Sequence, residues 1–535
     1  MSRNAAGKTY GTTPYLHPRR AALATAAFVA SMAVPGHSAA AGHVLLVGSF
    51  HDIAGSFASI QSAVNAAQPG DWILVAPGVY HEQGAAGAGV LITTPGIHLR
   101  GMDRNGVIVD GTLPGFGACS NAPAAQVRVS GGRNGIEVFK VYGVTIENLT
   151  VCNFLGDASG SGGNEIWWNG GDGSGAIGMG SYAGRYLTAS TTYFDAAAGV
   201  GGQYGIFVSN ARGPGVIEYA YASNMIDSSF YVGACPDCNA VLRHVHAQNS
   251  ALGYSGTNAG GHLLIQDSEW EDNRAGIVPN SLANDDPPSP QDGACPGVAG
   301  KSCTIIERNY VHDNNNANTP AAGLTAGAPV GTGIELTGGR NNLVRNNIVE
   351  RNGAWGILVN DYPDPSPPAV PTWCSGGVRY FAPSPPFDVI LGPVVPCYFY
   401  AHGNRVEGNR LADNGGFGNP TNGDLANAAL PHAVNNCFRH NVDRHQGAAS
   451  TSPSNLQDAE VAGACGAPWN PDLTQVAGLF LEVICAAYGP ASGACTAGTP
   501  GYPQPTTVSL MPIPSESTMD EPCEGSPDNA WCPDE

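Results

Sequence analysis

One short template recurs along the chain and limits what it can fold into. It runs apolar at position i, Asn or Ser at i+3, apolar at i+5 and Asn at i+8. Four segments obey it: Ile265-Ser268-Trp270-Asn273, Ile306-Asn309-Val311-Asn314, Val344-Asn347-Val349-Asn352 and Val406-Asn409-Leu411-Asn414. Three looser copies keep apolar or small residues at the first three positions: Ile146-Leu149-Val151-Phe154, Ile217-Ala220-Ala222-Met225 and Leu242-Val245-Ala247-Ser250. Their starts are 71, 25, 23, 41, 38 and 62 residues apart. Two of these spacings suit one coil of a solenoid, and the others leave room for loops or weakly matching coils. The Pro-rich stretches ANDDPPSPQDGACPG and DYPDPSPPAVPTWC fall in the long gaps, where loops belong.

The template has a physical reading. Residues i and i+5 point inward from two short strands joined by a bend at i+3. Asn there tolerates left-handed backbone, and stacked coils place the Asn side chains in a ladder. A further strand follows each copy, marked by Gly and alternating apolar residues: GIFV at 205–208, GIVP at 276–279, GIEL at 333–336 and GILV at 356–359. Each coil buries its inner face only against its neighbours. The open end then needs a cap, and residues 56–68 carry helical periodicity with Phe57, Ile60, Val64 and Ala67 on one face.

Composition narrows the class. Among 535 residues, 42% are hydrophobic, 12% are charged, and Gly and Pro number 73 and 41. That is too apolar for disorder and too Gly-rich for a helical protein. A net charge of −20 excludes nucleic-acid binding through phosphate neutralisation. Residues 1–41 read as an export signal: Arg19 and Arg20, the run AALATAAFVASMAV, then small residues up to a cleavage site near Ala41. No later run is long enough for an integral membrane span, so the expected location is secreted or at the cell surface. The 14 cysteines agree with an oxidising compartment. Neighbour pairing joins Cys235 to Cys238, Cys295 to Cys303, Cys374 to Cys397, Cys485 to Cys495 and Cys523 to Cys532. The CPDC pair with His244 and His246 fits no common zinc module. Nothing in the sequence speaks to oligomeric state.

At SIQSAVNAAQPGDWILVAPGVYHE, IHLRGMDRNGVIVDG and LVRNNIVERNGAWGILV the chain resembles the right-handed parallel β-helix proteins of the pectate-lyase-like superfamily. The resemblance covers roughly 43–445. It implies an all-β fold, a right-handed parallel β-helix over 42–445, behind the N-terminal capping helix read above. Residues 446–535 lack the template, and their apolar VAGLFLEVICAAYG and acidic Pro/Cys tail read as a cysteine-containing, disulfide-stapled cap and tail. The resemblance implies chemistry less well, because the architecture serves lyases, hydrolases, epimerases, tailspikes and non-catalytic surface proteins. The Asp-Pro-His-Glu stretch of the uronate epimerases is missing, as are the polygalacturonase and pectin methylesterase signatures. Only Lys140 and Lys301 remain after export, which disfavours a lysine base.

Side chains in one register on adjacent coils lie about 4.8 Å apart. Column i+2 reads Asn148, Tyr219, His244, Asp267, Arg308, Asn346, Gly408, and column i+4 reads Thr150, Tyr221, His246, Glu269, Tyr310, Ile348, Arg410. Both pass from Tyr to His to carboxylate at the same three coils. Together they assemble the parts that β-elimination or C5-epimerisation of a uronate needs. These are His244 or His246 as base, Arg308 against the sugar carboxylate, and Tyr219, Tyr221 or Tyr310 as proton donor or sugar contact. Asp267 and Glu269 offer a hydrolytic pair instead. Glu271 and Glu269 flank inward Trp270 and face water, and Asp272, like Asp313 and Asp413, occupies a turn. Trp167 and Trp168 in NEIWWNGGDGSG are candidate sugar platforms, and GGDGSG has the Gly/Asp character of a calcium turn without a full ligand series. No other cofactor and no protein metal site is expected. The sequence therefore reads as an exported β-helix that binds, and as an enzyme cleaves or epimerises, an extracellular polysaccharide. Its rival is a non-catalytic surface or structural rod.

Overall fold

The computed structural model describes residues 42–85, 87–283, 304–364, 374–445, 447–454, 456 and 470–533. The chain divides into units 1–40 and 41–535. The export segment with Arg19 and Arg20, the pair Cys295 and Cys303, and Lys301 lie outside the described residues.

The template becomes three faces. Position i lies on a first face of strands such as Leu263–Gln266, and position i+5 on a second face of strands such as Glu269–Glu271. The Gly-led run builds a third face of strands such as Ala275–Asn280. Equivalent strands pair in parallel, coil to coil: Leu242 with Ile265, Ile265 with Ile306, Ile306 with Val344, and Val344 with Val406. The first two faces form one 21-stranded sheet, joined by the long strands Val144–Cys152 and Tyr182–Ser190, and the third is an 11-stranded sheet. The fold is a right-handed parallel β-helix. Inward positions of the template, including Ile265, Trp270, Val311, Val349 and Leu411, are fully buried. Each such aliphatic side chain contributes about 1.5–3 kcal/mol of transfer free energy.

The Asn ladder is present, but the bend differs from the sequence reading. Asn309 Nδ2 donates to Asn347 Oδ1, Asn347 to Asn409 and Asn409 to Asn441, at 3.0, 3.0 and 2.9 Å. Position i+3 is therefore an internal polar spine. The left-handed residue is i+2: φ is positive at Asn148, Tyr186, Tyr219, His244, Asp267, Arg308, Asn346 and Gly408. A second left-handed corner follows at i+7, where Asp272, Asp313 and Asp413 sit, in keeping with their reading as turn residues. The register also contains a coil the template passes over, because Gly184 pairs with both Ile146 and Ile217.

Charge on the first face is consumed within it. Position i+1 reads Arg100, Glu147, Arg185, Glu218 and Arg243 up successive coils, with ion pairs of 2.7, 3.5, 2.7 and 2.6 Å. Glu307 with Arg345, and Glu407 with Arg439, continue the pattern at 2.6 and 2.5 Å. Opposite charges on adjacent strands stabilise the stack and spend most of its charge within the face.

The expected N-terminal helix is Ile60–Ala66, capped by Ser59, with Ile60, Ala63 and Val64 in the core. Four neighbouring cysteine pairs are disulfides as read (235–238, 374–397, 485–495 and 523–532), and Cys119–Cys152 adds a longer link. The C-terminal segment is more than an end cap. Its helix Leu473–Tyr488 covers the third face, and the tail then runs back along the solenoid. Corner asparagines hook it: Asn249 Nδ2 donates to Ser509 O (2.8 Å) and Asn224 Nδ2 to Met511 O (2.9 Å), while Asn148 Oδ1 accepts from Met519 N (2.9 Å). Trp531 Nε1 finally reaches Ile53 O at 2.9 Å. Replacing Asn148, Asn224 and Asn249 together by alanine is expected to speed amide exchange of residues 509–519 by about tenfold or more. Unchanged exchange would mean the hooks do not hold the tail.

Candidate functional site

The two predicted columns do stack, yet they separate into two unlike groups. Corner column i+2 is an aromatic and ionic stack on the surface. Tyr219 lies between Tyr186 and His244, with ring centroids 5.0 Å apart on both sides and planes 14° apart. Both faces of Tyr219 are therefore occupied by protein rings, and no sugar can stack on it. Asp267 takes Arg308 in a two-point pair, Nε to Oδ1 and Nη2 to Oδ2 at 2.9 Å each. Arg308 also meets Glu307 and donates to Gln266 Oε1 at 2.7 Å. These hydrogen bonds from Arg308 to Asp267 and Glu307 raise its pKa further and tie its charge to the first face. The geometry leaves Arg308 and Asp267 paired with each other rather than with a substrate.

The second face carries the richer cluster. Its three-residue strands project i+4 and i+6 outward, so column i+6 (Gln248, Glu271, His312, Glu350) lies beside column i+4 (His246, Glu269, Tyr310, Ile348). Glu271 Oε1 lies 3.1 Å from His246 Nε2 and accepts from Gln248 Nε2 at 2.9 Å. His312 Nε2 lies 3.1 Å from Glu269 Oε1 and 3.7 Å from Glu271 Oε2. On its other side His312 Nδ1 lies 2.8 Å from Asp313, which Arg351 grips through Nε and Nη2. Tyr310 donates to Glu350 (2.7 Å) and accepts from Arg351 (3.0 Å). Arg444 completes the row on Glu350 at 2.7 Å.

Exposure sorts these groups into workers and supports. The His312 side chain is 7% exposed, held on both ring nitrogens. His246 is 30% exposed, and among the described residues only its Nε2 is hydrogen bonded. In the tautomer that donates from Nε2 to the Glu271 carboxylate, the Nδ1 lone pair is left as a base. Burial pushes the Asp313 carboxyl up, but hydrogen bonds from Arg351 and His312 outweigh it and hold its pKa low. Glu350 is likewise held low, burial being outweighed by Tyr310 and Arg351. Burial raises Tyr310, and Glu350 adds to the rise against Arg351. Asp272, outside the network, is raised by burial and by its neighbours Glu271 and Asp313.

Other predicted residues fall elsewhere. Tyr221 is 2% exposed and donates to Gln248 Oε1 at 3.2 Å. It lies where the tail crosses the second face, so it supports the site from beneath cover. Trp167 and Trp168 belong to a third-face strand, Asn164–Asn169, and not to a loop. Trp168 is fully buried in the core, and Trp167 stacks on Phe207 at 5.0 Å. In GGDGSG, Asp172 is taken by Lys140 and Ser174 and is not presented to calcium. Among the described residues, with Cys119 and Cys152 tied up in a disulfide beside Asp110, a set that could hold a divalent cation is Glu269, Glu271 and His312, whose ligand atoms lie within 4.8 Å of one another. Asp313 behind His312 is the carboxylate partner such a ligand histidine uses. His312, Glu271, Glu350 and Arg351 went unread as site residues, although stacking position i+6 across coils would have found three of them.

No family profile and no curated protein matches the chain. Among solved structures it is similar to the Azotobacter vinelandii mannuronan C-5 epimerase AlgE4 A-module, at 14% identity over 77% of this chain and 92% of that one, with a TM-score of 0.39. It is also similar to a mannuronic acid specific polysaccharide family 6 lyase from human gut microbiota (14%, 74% and 81%, TM-score 0.38) and to the pectate lyase Pel9A (12%, 76% and 82%, TM-score 0.33). At these identities and TM-scores the likeness is one of coiling and carries nothing about chemistry. What the chain shares with them is the parallel β-helix.

Proposed function

We propose that the chain is an exported β-helix protein that binds an extracellular uronate-bearing polysaccharide along its second face and removes the C5 proton of a bound uronate. The observation that carries this reading is the His246–Glu271 dyad: a part-exposed imidazole whose Nε2 lies 3.1 Å from a carboxylate, with no hydrogen bond at Nδ1 among the described residues. The proton passes from C5 to His246 Nδ1. For elimination, the C4–oxygen bond breaks, a C4–C5 double bond forms, and Tyr310 delivers a proton to the departing oxygen. For epimerisation, C5 is reprotonated from the opposite side. Exposed Arg410, further along the same outward column beside Ile348, supplies positive charge for carboxylates elsewhere on the polymer. Export rests on the leader and on disulfides that persist in an oxidising compartment.

The rival reading, a non-catalytic rod, draws on the ion-paired ladders, which neutralise most outward charge within the protein. A panel of polyuronates and neutral glucans in D2O separates the two. The expected result is deuterium at C5, or unsaturated uronate ends, on at least one polyuronate and on no neutral glucan. Absence of deuterium, unsaturated ends and retention on every polymer would leave only the rod.

A further inference from the structure

The third face holds a second feature, independent of the polysaccharide reading. Between its strands and the helix Leu473–Tyr488 lies a cavity of about 600 Å³. The helix side is apolar, with Phe480, Val483 and Ile484, and Tyr488 stands at the mouth, 60% exposed. The floor carries Glu335, which is 3% exposed and has Leu358 beside it on the next strand. Its polar neighbour is the Asn360 amide. Two other carboxylates line the space, but each is provided for. Asp361 accepts from Tyr398 Oη, Ala401 N and Leu430 N at 2.7, 2.7 and 2.9 Å, and Asp227 accepts from Tyr204 Oη at 3.1 Å.

Among the described residues, no Lys, Arg or His lines this cavity. A guanidinium behind the wall, Arg274, is spent on carbonyls, donating to Ala328 O at 2.6 Å and Ala487 O at 2.9 Å. A carboxylate in such a place is costly unless something positive joins it. Burial pushes Glu335 up to about 7 against its Asn360 hydrogen bond, as it does Asp227 and Asp361, but Glu335 lacks the hydroxyl and backbone donors those two have. Hydrolysis by Asp227 and Glu335 as a carboxylate pair does not fit. Asp227 precedes Ser228, whose register runs through Leu252 and Ala275 to Thr332. Three strand spacings put Asp227 about 14 Å from the Glu335 strand, beyond the separation two glycosidase carboxyls need.

We propose that this cavity binds an organic cation, an ammonium group on an apolar body, with Glu335 as its counter-charge. The ammonium sits on the floor against Glu335, within reach of the Tyr362 ring, and the apolar body lies against Phe480 and Val483. The volume suits a ligand of small-molecule size.

Calorimetry of the exported chain with choline and with its uncharged isostere 3,3-dimethylbutan-1-ol tests the charge, and benzyltrimethylammonium tests the apolar wall. Choline is expected to bind at least tenfold more tightly than the alcohol, and benzyltrimethylammonium more tightly than choline. Glu335→Gln is expected to weaken both cations at least tenfold and leave the alcohol unchanged. Its unfolding midpoint should equal or exceed that of the unsubstituted chain, since it removes an unpaired buried carboxylate. Equal binding of the two isosteres, no binding of either cation, or full cation binding by Glu335→Gln would each overturn the proposal. If Glu335→Gln fails to fold, the isostere comparison decides alone.

Discussion

Replacing Asn347 by leucine is expected to cost the folded chain about 3–6 kcal/mol, although the two side chains are close in volume. Asn347 is fully buried and occupies the middle of the internal spine. Its Oδ1 accepts from Asn309 N and Asn309 Nδ2, both at 3.0 Å. Its Nδ2 donates to Ile306 O and to Asn409 Oδ1, both at 3.0 Å. Leucine removes every one of these partners at once and leaves donors and acceptors of two adjacent coils in an apolar interior. Each orphaned group costs roughly 1–3 kcal/mol, and no water reaches the site to relieve it. A neighbouring substitution supplies the control. Asn346 holds the left-handed corner outside the spine, where glycine adopts the same backbone freely, so Asn346→Gly should shift stability by about 0.5 kcal/mol or less. Because a solenoid need not unfold in one step, amide exchange of the coils containing Ile306 and Val349 is the proper readout alongside the thermal midpoint. A midpoint for Asn347→Leu equal to that of Asn346→Gly would show that the spine is not what holds the coils.

The same spine explains how far the sequence could be read. Asn309, Asn347 and Asn409 must be asparagine because only that side chain donates upward and accepts downward at one strand spacing. Their recurrence therefore announces the coil wherever it is strict. The coil at Tyr182–Ser190 was invisible because its inward positions, Gly184 and Ala189, are small and it carries Leu187 where the strict copies carry Asn or Ser. The corner was misplaced by one residue for a related reason. Tyr219, His244 and Arg308 are poor sequence signals for a left-handed backbone, and they accept that strain because their side chains stack or pair coil to coil. Columns i+2 and i+4 were readable once Leu242 and Ile265 were taken as neighbours, and the pairing is as expected. Chemistry was harder to see, since a column names neighbours without saying which are spent on each other. Asp267 and Arg308 neutralise one another, whereas His246 is hydrogen bonded at Nε2 alone among the described residues. The tail lay beyond any local pattern. It is held by single asparagines 260 to 371 residues away, at Asn249, Asn224 and Asn148.

His246→Ala is expected to lower kcat/KM on a responsive polyuronate by about 10²–10⁴-fold, the range a positioned general base supplies. That corresponds to roughly 3–5 kcal/mol of the barrier. The loss should fall on kcat, because His246 is asked to meet a proton that moves only in the transition state. Glu271→Gln keeps the shape but replaces the carboxylate at Nε2 with an amide, so the imidazole loses the charged partner that orients it. A smaller drop is expected there, falling on kcat with KM nearly unchanged. Tyr310→Phe should reduce elimination and spare C5 deuterium exchange, since the phenol is needed for the departing oxygen and not for the first proton. The corner pair gives the contrast. Arg308 and Asp267 are joined on the surface, where such pairs contribute about 0–1 kcal/mol to stability. Replacing both by Gln and Asn should leave rate and midpoint nearly unchanged. Full activity in His246→Ala would move the chemistry off this face altogether. A loss in the Arg308 and Asp267 double variant as large as that in His246→Ala would move it to the corner instead.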